Sequence, residues 1–166
     1  MQTPQQNGVV ERKHKHLLEV SRSLLFQSRL PLSFWEDCVL ISTYLINRMP
    51  SKALQNRIPL ELLYGRSPSY EHLKVFGCLC YMSTHKHGRD KFQARAIPCV
   101  FLGYSHGKKA YKVIDIQTRK IYNSRDIIFH ENVFPFSQSF QQPMNMSIEP
   151  AHFDAEFLIF SNAFSH

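Results

Sequence analysis

The sequence predicts an α+β protein in which helices come first, a small β-barrel follows and a mostly irregular tail closes the chain. Three observations carry this reading. Apolar residues recur at helical spacing through roughly the first seventy residues. From Val75 they fall instead into short β-rich runs separated by turn residues. Beyond residue 136 Lys and Arg vanish altogether. With 166 residues, 43% of them hydrophobic, the chain can bury a real core and is too apolar for a disordered class. No stretch approaches the roughly 20 apolar residues of a membrane span, so no membrane partner is expected. The polar start MQTPQQNG reads as neither signal peptide nor other targeting segment. Four cysteines in that setting point to a reducing compartment rather than a disulfide scaffold.

The first element is a helix over about Val10 to Ser28. Val10, Leu17, Ser21, Leu24 and Leu25 line one face, and Glu11, Arg12, Lys15, Glu19 and Arg22 fall on the opposite arc. Leu30-Pro31 ends it, because a residue before proline resists the helical region. Its start is ambiguous: Thr3-Pro4-Gln5-Gln6 has the form of a capping box with Pro at the first helical position, whereas Asn7-Gly8 reads as a turn. Ser33-Phe34-Trp35-Glu36 is a second capping box, so a second helix begins near Phe34, buries Cys38, Val39, Ser42, Leu45 and Ile46, and ends at Arg48-Met49-Pro50. Trp35 is expected in the core, since buried Trp is mainly a packing residue. Pro59 through Tyr64 followed by Gly65 marks a third, short helix.

Five strand-like runs follow: VFGCLCYM, CVFLGYS, AYKVIDI, KIYNS and DIIFH. Five short strands in about sixty residues suit a compact barrel. The domain division is therefore 1–74 helical, 75–136 barrel and 137–166 tail. The tail keeps a late apolar cluster around Phe157 and Phe160 and is expected to be irregular with a weak local helix.

Charge is uneven. Residues 77–136 carry ten Lys and Arg against four Asp and Glu, a net +6, within a chain of net +7, whereas 137–166 carry three acids and no Lys or Arg. An excess of this kind suits a polyanionic partner. Lys108, Lys109, Lys112, Arg119, Lys120 and Arg125 form the densest group, which is either a solvated barrel surface or a set of nonspecific phosphate contacts. Tyr104, Tyr111 and Tyr122 lie nearby and could stack on bases, but barrel packing is the expected role. Cys78-x-Cys80 followed by His85-x-His87 has a superficial zinc look. The one-residue spacing is wrong for a zinc knuckle, and strand alternation puts both cysteines on one face as small hydrophobes. Glu11, taken alone, is a helix-start carboxylate with a possible i,i+4 partner in Lys15. The sharper reading makes it a metal-binding carboxylate beside cations that hold phosphates, but two-metal chemistry requires several carboxylates.

The strings TPQQNGVVERKHKHLLE, LPLSFWEDCVLISTYLINRMPS, PLELLYGRSPSYEHLKVFGCLCY and KFQARAIPCVFLGYSHGKKAYKVIDIQTRKIYNSRDIIFHE resemble, in register from residue 3 to about 136, the polyprotein of copia-type LTR retrotransposons. The matching part is the end of the integrase catalytic core and the Src-homology-3-like domain after it. The resemblance implies that residues 1–74 are the C-terminal helices of a ribonuclease-H-like core and that 75–136 form the barrel. In that family an Asp, a second Asp and a Glu bind two Mg or Mn ions and drive strand transfer. The Glu lies in Asn-Gly-x-x-Glu-Arg, here Asn7-Gly8-Val9-Val10-Glu11-Arg12. By resemblance Glu11 is the third carboxylate, Asn7 and Arg12 lie at the nucleic-acid side of that motif, and Lys15, one turn on, is a DNA contact. The two Asp belong upstream; Asp37 and Asp90 match neither motif. The chain is therefore expected to be an integrase piece that binds nucleic acid without turnover and holds no metal tightly. Its nucleic-acid residues are Asn7, Arg12, Lys15, Lys108, Lys109, Lys112 and Arg125. Expected partners are DNA, through phosphates, and the rest of the polyprotein or an integrase oligomer. The resemblance places it intracellularly, in the nucleus or a cytoplasmic virus-like particle. The rival readings are a non-catalytic nucleic-acid-binding module and a structural or assembly piece of the polyprotein.

Overall fold

A computed structural model of the chain describes residues 4–84, 95–105 and 107–137, with 4–7 and 9 described by their backbone. The tail reading and the His85-x-His87 half of the zinc-like pattern lie outside these residues. The described residues form two compact units. The first comprises 4–25 and Leu32–Leu73, and the second comprises Phe26–Pro31 and 74–137.

The first unit is helical. Helix α1 spans Pro4–Ser28 and α2 spans Trp35–Ile46 behind a 3-10 turn at Leu32–Phe34. Helix α3 spans Pro59–Tyr64. Helix α1 starts six residues earlier than the apolar pattern indicates. Pro4 supplies the fixed φ of a first helical position, and Asn7-Gly8 continues the helix rather than turning. Val10 is exposed, and the buried stripe runs through Leu17 and Ser21. Ser21 Oγ lies 3.0 Å from Ser42 Oγ of α2, and Ser42 Oγ donates to the Cys38 carbonyl at 2.6 Å. Small side chains with their polar atoms satisfied let the two helices meet there.

Two expectations for α2 are overturned. Phe34, not Ser33, is the N-cap, with no side-chain cap bond, and the Ser33 hydroxyl is buried without a partner among the described residues. The 3-10 turn carries Phe34 inward to 2% exposure and rotates Trp35 outward to 51%. Cys38 and Ser42 are buried as their spacing requires, while Val39, Leu45 and Ile46 are half-buried. Helix α3 carries Pro59 in its first turn and ends on Gly65 at φ 67°, where a side chain would be strained.

The second unit is one antiparallel sheet. Its strands are β1 Leu79–Ser83, β2 Ala96–Tyr104, β3 Tyr111–Asp115, β4 Ile121–Ser124 and β5 Ile127–His130, in the order β4-β3-β2-β1-β5. The edge strands β4 and β5 are consecutive in the chain. Laid flat, they would stand four strand spacings apart, about 19 Å. Three Cα steps from Ser124 to Ile127 reach at most about 11 Å. The sheet must therefore curl so that its edges approach, and a bulge between Phe101 and Gly103 in β2 supplies local bend. The inner face buries Cys80, Met82, Cys99, Phe101 and Val113. Phe101 packs edge-on to Tyr104, Tyr111 and Phe129 at 5.4 to 5.9 Å between centroids.

The end of α1 enters this unit by a close approach. Gly77 sits at φ 77°, and a Cβ built on it would fall 2.2 Å from Ser28 Cβ. Ser28 is fully buried. Nearby, the Lys74 ammonium pairs with Glu131 at 3.2 Å, and the other Glu131 oxygen accepts the Val75 N–H at 3.0 Å.

Candidate nucleic-acid interface

Register places the basic side chains. In the β3–β4 pair Tyr111 stands opposite Ser124 and Lys112 opposite Asn123. Lys108 and Lys109 precede Tyr111 in the β2–β3 turn, and Arg125 follows Ser124. These four cations therefore belong to one end of the barrel. The turn that carries the lysines is closed by Ser105 N–H on the Ala110 carbonyl at 2.9 Å and by Ala110 N–H on the Lys108 carbonyl at 2.8 Å. Gly107 at φ 64° permits it. Arg125 is held by its own tight link, in which Ile127 N–H donates to the Arg125 carbonyl at 3.1 Å and Asp126 N–H to Ser124 Oγ at 3.3 Å. Lys108, Lys109 and Arg125 are exposed, and Lys112 is half-buried.

Arg119 and Lys120 do not join them. They occupy the β3–β4 turn at the other end of β3, about 14 Å of strand rise away, which is beyond the screening length at physiological salt. Arg119 lies half-buried in the left-handed region at φ 61°, its guanidinium 5.1 Å from the Phe136 ring centroid. This turn is organised by buried Asp115. Its carboxylate accepts the Gln117 N–H at 2.8 Å and the Thr118 hydroxyl at 2.6 Å. Burial pushes the Asp115 carboxyl up, but those bonds, the Thr118 N–H and the Arg119 charge outweigh it and hold it below the usual value.

In the first unit, Glu11, Arg12 and Lys15 are all exposed on α1, and Asn7 lies on the same helix with its backbone alone described. Lys15 Nζ lies 3.9 Å from a Glu19 oxygen, so the i,i+4 partner of Lys15 is Glu19 rather than Glu11. Eight residues separate Glu11 from Glu19, about 12 Å along the axis, too far to share cations about 3.5–4 Å apart. Among the described residues no three His, Cys, Asp or Glu gather that could hold a metal ion. Asp37 is buried in α2, and Asp90 lies outside the described residues.

Cys78, Cys80 and Cys99 are fully buried in the barrel, and Cys80 stands directly opposite Cys99. Burial pushes the Cys78 thiol up to about 12 and the Cys99 thiol up to about 11, with Cys80 raised as well. Fully buried within the sheet, these thiols pack as small hydrophobes. Tyr104, Tyr111 and Tyr122 are half-buried, and the first two belong to the Phe101 ring cluster. Among the described strand residues, Tyr81 on β1 is an aromatic that faces outward, at 36% exposure. The alternation Cys80-x-Met82, both inward, was the signal that could have identified it.

A family model described as a retroviral polymerase SH3-like domain matches residues 78–143. The chain is 42% identical over 135 residues, 81% of its length, to the "Retrovirus-related Pol polyprotein from transposon RE1" of Arabidopsis thaliana. The RE2 polyprotein of the same plant gives the same figures. It is 42% identical over 130 residues, 78% of its length, to the corresponding polyprotein of transposon TNT 1-94 of Nicotiana tabacum. The chain belongs to the retrotransposon Pol polyproteins. It spans about a tenth of these curated relatives, 9% of RE1 and RE2 and 10% of TNT 1-94. No solved structure matches. The SH3-like match covers the Pol chain's curled five-stranded sheet, so the α+β class and the SH3-like nature of the second unit stand together. Among the described residues no helix is long and apolar enough to cross a membrane.

Proposed function

We infer that this Pol chain serves DNA integration as a nucleic-acid-binding part of the polyprotein, with the SH3-like unit gripping phosphates through Lys108, Lys109, Lys112 and Arg125. The observation that supports this is the grouping of those four residues at one barrel end, in a segment of net +6. In the same reading the helical unit is the C-terminal part of a ribonuclease-H-like integrase core. Asn7, Arg12 and Lys15 face DNA there, and Glu11 is the third carboxylate of a site that takes Mg or Mn in the intact family. The described donor set does not fit two cations, since Glu11 has no second carboxylate within reach on α1, and no catalytic step is assigned to it in this chain.

A salt titration with the full chain tests the reading. Each neutralised phosphate contributes about −0.9 to the log–log slope on duplex DNA, so four contacts give a slope of about −3 to −4 with little sequence preference. Replacing Lys108, Lys109 and Lys112 by Ala should leave a slope near −1 with the fold intact, because the two turn lysines are exposed. Unchanged slope and affinity in that triple variant would reduce the group to a solvated surface. A second role, packing against other parts of the polyprotein, is favoured by one observation. Leu32 and Trp35, three residues apart on the helical unit, are both exposed.

A further inference from the structure

The outer face of β1 and β5 carries aromatic and apolar side chains that the barrel does not use. Strand alternation turns Tyr81 outward between buried Cys80 and Met82, and it turns Ile128 and His130 outward on β5. The register sets Tyr81 directly opposite Ile128, which is 66% exposed, and Leu79 opposite His130. The Tyr81 and His130 rings meet edge-on, with centroids 5.4 Å apart at 81°. In such a pair one ring keeps both its faces clear of its partner and the other keeps one. Across β2 and β3 the same side of the sheet is covered, since Val100 and Ile114 are fully buried, so the platform on β1 and β5 ends where β2 begins.

What fits this platform is set by the charge around it. Ser83 N–H donates to the Asp126 carbonyl at 3.1 Å, which places the Arg125–Asp126 link two residues, about 7 Å of strand rise, from Tyr81. Arg95, exposed, is tied to the same end of β1 through its carbonyl, which accepts the Thr84 N–H at 3.0 Å. Asp126 is the opposing charge beside Arg125. Flat rings with an apolar neighbour, with Arg95 and Arg125 at the same end of β1 in a segment, 77–136, of net +6, complement a chain of planar bases on an anionic backbone.

We propose that Tyr81, with His130 and Ile128, forms a stacking platform for unpaired nucleotides, so that this unit takes single-stranded nucleic acid in addition to the phosphate contacts of the Lys108–Lys109 end. The proposal rests on the nucleic-acid reading above and deepens it. Stacking supplies affinity without base identity, because every base has a π face. A paired base cannot reach the platform, so duplex binding depends on the cations alone.

The experiment uses the full chain and fluorescence anisotropy with two labelled probes, an oligothymidylate of about 12 nucleotides and a duplex of the same length. Tyr81→Ala should weaken single-strand binding about 5- to 100-fold and change duplex binding less than about twofold. Tyr81→Phe should retain single-strand affinity, because the ring and not the hydroxyl carries the contact. His130→Ala should show the same selective single-strand loss to a smaller degree. Circular dichroism melts confirm that each variant folds, and His130→Ala and Tyr81→Phe keep the test decisive if Tyr81→Ala does not. Single-strand affinity unchanged in Tyr81→Ala or His130→Ala, while Lys108→Ala/Lys109→Ala still weakens both probes, overturns the platform and leaves the phosphate reading standing. Equal losses on both probes also overturn it. Absence of binding to either probe by the unmodified chain overturns both.

Discussion

Replacing Gly77 by Ala places a methyl group where the end of α1 meets the barrel. The new Cβ would lie 2.2 Å from Ser28 Cβ, closer than real Cβ contacts come, and a tight 3.1 Å from Ser28 Cα, and Ser28 is fully buried with no solvent to move into. Forcing a methyl into such a space costs about 1–3 kcal/mol. The backbone adds to this, because φ 77° is a left-handed conformation that costs a residue with a Cβ about 1 kcal/mol. Together the loss is about 3 kcal/mol, enough to raise the open population of the second unit by roughly a hundredfold. The buried thiols supply the assay. Cys78, Cys80 and Cys99 are fully buried in the barrel, so a thiol reagent labels them only when it opens, and the labelling rate follows that opening. Gly77→Ala should speed labelling of these three thiols about a hundredfold under native conditions. Ser28→Gly in the same background removes the clashing Cβ together with Oγ, so a double-mutant cycle should show a coupling of about 1 kcal/mol or more between the two sites. An increase of less than about fivefold, or additive effects in the cycle, would refute the close approach of α1 to Gly77.

Asp115→Asn should cost about 1–2 kcal/mol at neutral pH, since the amide cannot accept from both the Gln117 N–H and the Thr118 hydroxyl as the carboxylate does. The folded carboxyl is held below its unfolded value, so its contribution is present above the usual Asp range and is lost as pH falls through the folded value. Urea midpoints of parent and variant should accordingly converge in acid and differ at neutral pH, and a pH-independent gap would contradict this. In the helical unit, Phe34→Ala should cost about 3–5 kcal/mol and Trp35→Ala less than about 1 kcal/mol by chemical denaturation. Equal costs would mean that the 3-10 turn does not sort these neighbours as described.

Local chemistry was legible where one residue type decides. Pro59 and Gly65 bound α3 because proline presets the first turn and Gly65 takes φ 67°. The five strands fall where apolar runs alternate with turn residues, although β1 starts only at Leu79 because Gly77 takes a positive φ before it, and β2 begins earlier, at Ala96. The basic character of residues 77–136 required only counting. The copia-like strings pointed to the Pol family before any geometry was known. The candidate interface was legible only in part. Lys108, Lys109, Lys112 and Arg125 are near-neighbours in space, whereas Arg119 and Lys120, equally close in sequence, stand at the opposite end of β3.

The sequence by itself determined the order of helices before strands, the turns and the net charge, because each depends on residues a few positions apart. Tertiary structure alone decided which side of each element is inside. Trp35 lost its expected burial to Phe34 because a 3-10 turn, not a capping box, sets the rotation of α2. Val10 stayed exposed while Leu17 and Ser21 were buried, because burial on α1 follows the position of its partner, marked by Ser42 of α2, and not the apolar pattern alone. The last turn of α1 belongs with the barrel because Gly77 lacks the side chain that would hold Ser28 away. Tyr81 faces solvent, while Tyr104 and Tyr111 pack on Phe101, because cross-strand register assigns each residue its face. Register is settled by which strands pair across the whole unit, a long-range condition that no short window of sequence contains.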